Sequence, residues 1–578
     1  MRNRDRGLDR VMVMLCAAAS APALAAAAAS ASDGIRITTV HRPGDPAPDL
    51  PGYTMAGASG GSINNAGQVL FAASIAGPGI SSGNDHILVG GALDKFRLIA
   101  RERDPVSTLP GFIWLPGSAN LTGFNNLVVT STGEIGFNPT IWETGVSTTV
   151  LTGVFAGSVP TPSPLLWNSA DPPGFDPAYS ILALNRGVFA SGARAAVIGR
   201  ISGPSVERVI WFGSPSGGMI AALQTNLPAP GQPVGVNIQN IDDNSLRMNE
   251  QGRIAFQATL PLGNGITQGN RVVLYEGPPD NVGVLAQTGD PVPGVPGAVF
   301  SSLDADSLRM NSAGAVCFKG RTTGGGTDAV IISKGGGQAF ALAKDGDPIP
   351  GHPGLTISGI RFGTHDMNGN ARVLFTASIA GAPFATDSAL FMGDPSGIEM
   401  ILREGDPLPG GYTTPHILGT KFFFNDRDQI AFVATVNDRA TFFASRPNGE
   451  LVKLARSTEV FVTDDGFVGV PGALVPWGYD FAAGCPGSGG PSIFNNEGQL
   501  LLPMYFSGST GQALVLFDID DPCPADLAPP EGVLDLNDIN AFVDGFIAQT
   551  ADGDLDGNGV WDLADVNIFV TSFTGGCP

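Results

Sequence analysis

Residues 554–565, DLDGNGVWDLAD, carry oxygen ligands at the spacing of a calcium-binding loop. Gly559 takes the position of the sharp turn, and the ligands at positions 1, 3, 5, 7, 9 and 12 are Asp554, Asp556, Asn558, the carbonyl of Val560, Asp562 and Asp565. Ca2+ prefers several oxygen ligands on a flexible loop, so the spacing predicts an EF-hand-like Ca2+ site. The competing interpretation is a polar turn in which Asp562 only caps the following helix.

A second copy of this loop–helix unit lies 27 residues upstream. Seven residues recur at this offset. The pairs are Asp535 and Asp562, Leu536 and Leu563, Asp538 and Asp565, Asn540 and Asn567, Phe542 and Phe569, Val543 and Val570, and Phe546 and Phe573. The candidate ligands of the first loop are Asp526, Glu531, Asp535 and Asp538. Because Pro529 and Pro530 replace the middle ligands, this loop either binds Ca2+ weakly or is held rigid by the prolines without metal.

The rest of the chain has the composition of a β-rich protein. Among 578 residues there are 80 Gly and 46 Pro, 43% of the residues are hydrophobic, and only 15% are charged. Such a chain is too apolar to be disordered and too rich in helix breakers for long helices. Many short strands joined by turns are therefore expected.

Residues 1–31 have the pattern of a secretory signal peptide. Four arginines precede the apolar run VMVMLCAAASAPAL, and small residues follow it, so we expect export and a secreted or cell-surface location. A membrane anchor is the alternative, but the apolar run is short and rich in alanine. The chain after Ala31 would hold 27 basic and 51 acidic residues, a net charge of −24 that opposes binding to nucleic acid or anionic lipid.

One sequence unit repeats through the body of the chain. It is anchored on an asparagine in NNAGQVLFAA, NEQGRIAFQA, NSAGAVCFKG, NGNARVLFTA, NDRDQIAFVA and the weaker NNEGQLLLPM, at Asn64, Asn249, Asn311, Asn368, Asn425 and Asn495. The long gap after Asn64 fits two degenerate copies, STGEIGFNPT and ASGARAAVIG, which gives eight units. A GDPxPG-like loop opens most units, and the Asn and Gly are expected to form a hairpin turn.

Four antiparallel strands in a unit of about 60 residues indicate a blade of a β-propeller. Separate sandwich domains or a solenoid are the alternatives, but they need more strands per domain or a shorter repeat. The last unit lacks a fourth strand, and the sequence from residue 34 resembles a fourth strand without a blade. We therefore predict an all-β fold over residues 33–520, an eight-bladed ring in which residues 35–42 pair with 513–519.

The repeats resemble those of exported bacterial proteins known as choice-of-anchor tandem NxxGxxxAF-repeat proteins, over about residues 34–520. The resemblance implies an extracellular repeat domain joined to one of several kinds of C-terminal anchor, and it implies no established activity.

The duplicated loop–helix unit resembles a dockerin, and its DLAPP loop and final Gly576-Cys577 resemble the GC-type variant, over about residues 523–578. The resemblance implies a small helical domain that binds cohesin modules in a Ca2+-dependent manner. Its partner-reading positions would be Leu536, Asn537, Leu563 and Ala564. Because the ends of such modules lie together, a Cys523–Cys577 disulfide is expected; free thiols, or bridges to Cys317 or Cys485, are the alternatives.

Two function hypotheses follow. The first is an exported, non-catalytic propeller displayed through its dockerin; the second is a secreted carbohydrate-active enzyme, or a polysaccharide-binding propeller, joined to an extracellular assembly. The best carboxylates for a glycosidase are Asp242, Asp304 and Asp306, beside the recurring Arg247 and Arg309. Because DNSLRMN and DSLRMN recur in neighbouring units, structural ion pairs are favoured over a catalytic site, and no catalytic residue is assigned.

The repeated loop aspartates present a similar choice. Six of them, Asp45, Asp104, Asp171, Asp290, Asp347 and Asp406, are expected on one rim of the ring. They could form a face for a ligand or cation, but an Asx-turn ahead of proline is the favoured interpretation.

Overall fold

A computed structural model of the chain describes residues 35–93, 95–115, 124–145, 150–203, 206–325, 329–334, 338–417, 422–463, 465–473, 488, 490–506, 512–519, 525–528, 534–553, 555 and 560–575. These residues contain eight antiparallel sheets of four strands, followed by two helices. In every sheet the strands lie side by side in chain order, apart from the last, which the N-terminal strand completes.

Each sheet is one blade of a propeller, and the blades follow the predicted repeats. Blade 1 consists of Thr54–Ile63, Gln68–Ala76, His86–Ala92 and Lys95–Arg101. Blade 6 consists of Thr356–Met367, Val373–Ala380, Ser388–Asp394 and Gly397–Arg403. Blade 7 consists of Phe422–Phe424, Ile430–Val436, Arg439–Ser445 and Leu451–Arg456.

In blades 2 to 5 the first strand is split into two pieces. Blade 2 consists of Phe112–Trp114 with Phe124–Val129, Ile135–Glu143, Leu151–Gly157 and Ser163–Trp167. Blade 3 consists of Ser180–Leu184 with Val188–Ala190, Arg194–Ser202, Glu207–Ser214 and Gly218–Gln224. Blade 4 consists of Asn240–Ile241 with Arg247–Met248, Ile254–Thr259, Val272–Gly277 and Gly283–Gln287. Blade 5 consists of Val299–Leu303 with Arg309–Met310, Val316–Thr323, Ala329–Lys334 and Phe340–Lys344.

In blades 4 and 5 the break in the first strand lies at a local turn. In blade 5 the break is a 3-10 turn, Ala305–Ser307, and Asp304 caps its N-terminus by accepting a bond from the Asp306 N–H. In blade 4 the Ser245 hydroxyl donates to the Asp242 carbonyl and accepts from the Gln257 N–H, as Ser307 does with Asp304 and Lys319. At both breaks, hydrogen bonds from side chains to the nearby backbone replace the backbone hydrogen bonds between the two strands.

The last blade closes the ring with strands from both ends of the chain. It contains Pro471–Ala473, Gln499–Phe506, Gln512–Asp518 and the N-terminal strand Arg36–His41. The pairing runs from Arg36 opposite Asp518 to His41 opposite Leu514. The predicted pairing of residues 35–42 with 513–519 is confirmed, and closure removes an unpaired sheet edge.

Apolar side chains fill the space between adjacent blades. Leu501, Leu514 and Leu516 of blade 8 pack in one buried cluster with Phe71 and Val89 of blade 1. The aromatic residue of the repeat motif is buried in the second strand and stacks in several blades on a ring directly opposite in the third strand. Such pairs are Phe137–Phe155, Phe256–Tyr275, Phe375–Phe391 and Phe432–Phe443, with centroids 5.3–5.7 Å apart.

The repeated asparagines join the blades to one another. Each is buried, and its side-chain Nδ2 donates to a backbone carbonyl of the next blade. At 2.9–3.2 Å the bonds run from Asn64 to Thr130, Asn311 to Asn368, Asn368 to Asn425, Asn425 to Asn495 and Asn495 to Asn64. Asn249 makes a longer bond of 3.4 Å to the Ser312 carbonyl. We call this set the asparagine ring.

The same asparagine caps the turn that follows it. In blade 7 the Asn425 Oδ1 accepts from the N–H groups of Arg427 and Gln429, and its Nδ2 also donates to the Gln429 side chain at 2.8 Å. The positive φ of the turn is at the fourth residue, which is Gly67 in blade 1 and Asp428 in blade 7. The predicted hairpin turn is confirmed, and the bond to the next blade is an additional role.

The described C-terminal residues form a small helical unit after the ring. Its helices are Leu536–Ala548 and Leu563–Gly575, with a 3-10 turn at Ala551–Gly553 between them. Phe542 and Phe569, equivalent residues of the duplication, stack with centroids 4.3 Å apart at the centre of a small core. The remaining short strand pairs are Pro407–Leu408 with Tyr412–Thr413 and Phe461–Val462 with Val468–Gly469, and a 3-10 turn spans Phe384–Thr386.

Candidate functional site

The first strands of neighbouring blades contact one another around the ring, so they are the innermost strands of the propeller. Asp242, Asp304 and Asp306 lie at the breaks of two of them. The Asp242 carboxylate accepts from the Asn244 N–H at 3.0 Å, and the Asp304 carboxylate accepts from the Asp306 N–H at 3.2 Å. Burial, with the nearby Asp306 charge, raises the pKa of Asp304. Two of the three aspartates thus serve as turn caps.

The recurring arginines bond to backbone carbonyls. Arg247 donates from Nε to the Leu308 carbonyl at 2.8 Å and from Nη1 to the carbonyls of Asn244 and Leu246. Arg309 donates from Nη1 to the same Leu308 carbonyl, at 3.0 Å. Arg309 also lies 3.9 Å from the Asp366 carboxylate. Among the described residues no carboxylate lies within ion-pair distance of Arg247, so the ion pair predicted for this residue is wrong.

The loop aspartates hold the turns that connect one blade to the next. Asp45, Asp290, Asp347 and Asp406 each accept from the N–H three residues earlier, at 2.7–3.1 Å. Each of their own N–H groups donates to the carbonyl of that same earlier residue. The interpretation of these aspartates as turn-forming residues is supported. Each one, however, closes a turn with the residue three positions earlier and does not form the predicted Asx-turn with the residues that follow it. Asp104 makes the same backbone bond, to the Arg101 carbonyl.

Two groups of histidine and carboxylates were not identified from the sequence. In blade 1 the His86 Nδ1 lies 3.2 Å from Asp85 Oδ1 and 3.3 Å from Glu102 Oε1. In the connection between blades 6 and 7 the His416 Nδ1 lies 3.2 Å from Glu404 Oε2, near Asp387. The hydrogen bond to Glu102 is the main reason that the pKa of His86 is raised. These distances are those of imidazole–carboxylate hydrogen bonds. Glu102 and Glu404 take equivalent positions in their blades, but the two histidines come from different segments.

In the helical unit, the acidic residues at the helix starts bind the loop backbone. Asp538 is buried and accepts from the N–H groups of Leu527, Ala528 and Asp535, each at 2.8 Å. Burial raises the pKa of Asp538, but these bonds outweigh it and the pKa is lowered. Asp565, also buried, accepts from Leu555 at 2.8 Å and from Asp562 at 2.9 Å. Both carboxylates fasten a loop to the helix that follows it.

Asp535 and Asp562 cap the two helices, through bonds from Asn537 N–H at 2.6 Å and Ala564 N–H at 2.7 Å. Capping by Asp562, the competing interpretation of its role, is thus present. Val560 lies among the described residues, whereas Asp554, Asp556, Asn558 and Glu531 lie outside them. The candidate ligand atoms of the described residues are carboxylate and carbonyl oxygens, which are the ligands that a hard cation such as Ca2+ prefers.

The predicted partner-binding positions lie on the surface of the helical unit. Leu536 and Leu563 are 68% and 69% exposed, and Asn537 and Ala564 are exposed beside them. Val543 and Val570, another pair related by the duplication, are 44% and 49% exposed. Each helix therefore presents the same apolar residues to solvent.

Of the cysteines, only Cys317 lies within the described residues, where it is buried and free. Cys485, Cys523 and Cys577 lie outside the described residues, so the Cys523–Cys577 pairing stays a prediction. Among the described helices, none is long and apolar enough to cross a bilayer.

The fold places the body of this protein in the class of eight-bladed β-propellers. A family model matches residues 20–207 and 180–515, and the chain belongs to that family, a family of unknown function (DUF7453). No curated protein matches the sequence.

Solved propellers resemble the chain only distantly. The propeller domain of the Trilobed protease from Pyrococcus furiosus is 11% identical with a TM-score of 0.34, over 69% of this chain and 97% of that one. The acylaminoacyl peptidase of Pyrococcus horikoshii is 10% identical with a TM-score of 0.33, over 69% of this chain and 52% of the peptidase. The periplasmic gluconolactonase of Pseudomonas aeruginosa is 12% identical with a TM-score of 0.27, over 65% and 93%.

Proposed function

We propose that this protein is an exported, non-catalytic propeller displayed through its C-terminal unit, a dockerin-like module that binds a cohesin-type partner when Ca2+ is present. The observation that carries the proposal is the matched exposure of Leu536 with Leu563 and of Val543 with Val570. A module whose core depends on the stacked Phe542 and Phe569 has few apolar residues to spare. Exposing four apolar side chains to solvent is unfavourable in free energy unless a partner protein covers them.

The two loops differ in how well they suit Ca2+. In the first loop Pro529 and Pro530 replace the middle ligands. In both loops the carboxylate at the helix start, Asp538 or Asp565, accepts backbone N–H bonds from the loop. The second loop combines the Val560 carbonyl with Asp562 and Asp565, and the sequence adds three more oxygen ligands. We therefore assign Ca2+ to the second loop, where it would neutralise the gathered carboxylates, and a metal-free closure to the first.

Trp561 gives the Ca2+ proposal a direct readout. Trp561 lies in the sequence between Val560 and Asp562, two positions of the second loop assigned to Ca2+. Its indole Nε1 donates to the Thr550 carbonyl at 2.8 Å. Titration of the chelator-treated full chain with Ca2+ should change its tryptophan fluorescence. Trp561→Phe should abolish the change, and Asp554→Ala should weaken Ca2+ binding measured by calorimetry. Equal fluorescence of the wild type in Ca2+ and in excess chelator, with no heat of binding, would refute the metal assignment.

Partner binding can be tested separately on an array of cohesin modules. The wild-type chain should bind at least one module in Ca2+ and release it in chelator. The Leu536→Ser/Leu563→Ser double variant should lose binding, because both apolar faces are removed. Val234→Ser is the matched control, since Val234 is a fully exposed apolar residue of the propeller. Retained binding by the double variant would contradict the assigned surface.

A further inference from the structure

Blades 1 and 6 place the same pair of carboxylates at the same strand ends. Asp85 and Asp387 each lie directly before the third strand of their blade, and Glu102 and Glu404 each lie directly after the fourth strand. The N–H of each glutamate donates to the carbonyl of the first residue of the third strand, which holds the two strand ends together. The fold therefore brings one aspartate and one glutamate side by side in both blades.

A histidine joins each pair, but it comes from a different position in the two blades. His86 is the first residue of the third strand of blade 1. The equivalent residue of blade 6 is Ser388, and the histidine there is His416, from the connection to blade 7. The chain has only five histidines, and two of them reach the same carboxylate pair by separate routes. The sequence repeat accounts for the carboxylates but not for the histidines. We call Asp85, His86 and Glu102 the blade 1 triad, and Asp387, Glu404 and His416 the blade 6 triad.

The ligand atoms of the blade 1 triad have the spacing of ligands around one metal ion. His86 Nδ1 lies 3.2 Å from Asp85 Oδ1 and 3.3 Å from Glu102 Oε1. Ligands that bind Zn2+ tetrahedrally, with bonds of about 2.0–2.1 Å, lie about 3.3 Å from one another. The imidazole is within hydrogen-bond reach of Glu102, whereas the buried Asp85 Oδ1 accepts no hydrogen bond from the described residues. A metal ion in place of the shared proton would bind all three side chains at once.

The blade 6 triad offers the same kinds of ligand nearer the surface. His416 Nδ1 lies 3.2 Å from Glu404 Oε2, and the ligand atoms of the three residues lie within 4.8 Å of one another. The Asp387 carboxylate has no hydrogen-bond or ion-pair partner among the residues that the structure describes. The side chain of His416 is 51% exposed, which gives an ion access to the site and leaves room for water as a further ligand.

We propose that the two triads are binding sites for a divalent transition-metal ion such as Zn2+, each through one imidazole nitrogen and two carboxylates. A ligand set that includes nitrogen favours Zn2+ over Ca2+ and Mg2+, which prefer oxygen ligands alone. The two carboxylates of each triad balance the charge of the ion. The formal net charge of the chain, −22, also attracts cations. Both triads belong to the propeller, so the proposal does not depend on the Ca2+ site assigned to the helical unit.

Calorimetry on the full chain with Zn2+ tests the proposal, in excess Ca2+ so that the second loop is already occupied. The wild type should bind Zn2+ at two sites in the propeller, and excess Mg2+ should not compete. Because the metal replaces a proton at the imidazole, the measured heat should change with the ionisation enthalpy of the buffer. No binding of Zn2+ by the wild type, or equal competition by Mg2+, would overturn the proposal.

Three variants locate the sites. His86→Gln and His416→Gln should each lower the number of bound Zn2+ ions by one. His352→Gln is the matched control and should bind as the wild type does, because His352 lies in the connection between blades 5 and 6 and belongs to neither triad. An unchanged stoichiometry in His86→Gln or in His416→Gln would exclude the triad concerned.

Asp387→Asn keeps the test decisive if a histidine variant fails to fold. The Asp387 carboxylate has no partner to lose among the described residues, so the variant should keep the stability of the wild type. It should weaken one of the two Zn2+ sites by at least about tenfold, as expected for the loss of a charged ligand. Two unchanged Zn2+ affinities in this variant would overturn the assignment of the blade 6 triad.

Discussion

In six of the eight repeats, one buried asparagine both closes its own turn and bonds to the next blade around the ring. Asn425 accepts two backbone N–H bonds within its own turn and donates to Gln429 and to the Asn495 carbonyl. Because the residue is fully buried, any partner left behind by its removal is also cut off from water. No other residue type offers one acceptor and one double donor in so short a side chain.

Asn425→Ala should therefore lower the free energy of unfolding by about 3 kcal/mol, at the upper end of the cost of unsatisfied buried groups. Denaturant unfolding measures the change. The control is Asn448→Ala, which removes the same side chain from an exposed turn where it accepts a single bond from Glu450 N–H. A loss at position 425 no larger than at position 448 would show that the asparagine ring contributes little.

His41 makes the N-terminal strand sensitive to acid. Its ring is buried and stacks 6.3 Å from Phe71, and its Nδ1 lies 3.7 Å from an oxygen of the Asp45 carboxylate. Burial lowers the pKa of His41 to about 4, and the nearby Asp45 carboxylate opposes that shift only in part. The unfolded chain therefore binds more protons than the folded one between pH 6.5 and 4. Stability must fall as the pH decreases through this range, by about 3 kcal/mol in total.

His41→Leu should remove this part of the pH dependence, because leucine keeps the site apolar and breaks no hydrogen bond. Unfolding free energies measured from pH 7 to pH 4 should fall less steeply in the variant. His86, whose raised pKa acts in the opposite direction, is present in both proteins and cancels in the comparison. Parallel pH profiles would contradict the role given to His41.

At the scale of the blade, the sequence was sufficient to predict the repeats but not the side-chain bonds that join neighbouring blades. The units around Thr130 and Ala190 lack the asparagine, yet both form blades, as predicted from their spacing. The turn requires only that its fourth residue adopt a positive φ, and Ala193 does so, with a φ of 54°. Other polar side chains then join these blades, such as Asn126, which donates to the Gly187 carbonyl.

The arginines beside the breaks of the first strands show what sequence reasoning could not predict. Arg247 and Arg309 were visible because their motif recurs, but Arg186 lies outside that motif. Their proximity depends on the rotation between consecutive blades, which places residues about 60 positions apart around one axis. Motif recurrence suggested ion pairs, whereas the bent first strands direct the Arg247 donors to carbonyls instead.

The helical unit is small enough that a covalent link would matter to it. Its core rests on few residues, and Cys523 and Cys577 flank it in a chain expected to be exported. A disulfide would close a loop of about 55 residues and stabilise the unit by roughly 4 kcal/mol, less any strain. Peptide mapping without reduction should yield a linked fragment containing both cysteines. Free thiols at both positions would exclude the bond.

At the scale of the whole molecule, the N-terminal strand is the element that turns an open array into a ring. It pairs with residues Leu514–Asp518, and among the strands that the structure describes it is the only one whose blade partners come from the opposite end of the sequence. Without it, the edge of that strand would present unpaired N–H and C=O groups and a buried apolar row, which favours edge-to-edge association.

Deletion of residues 1–42 should therefore lower the midpoint of thermal unfolding and produce soluble aggregates, measured by calorimetry and by light scattering after size-exclusion chromatography. The matched control is truncation after residue 520, which removes the helical unit and leaves every strand of the eight blades in place. That control should remain monodisperse with the propeller's transition unchanged. If the two truncated proteins behave alike, with no loss of stability and no aggregation, the ring does not depend on closure by the N-terminal strand.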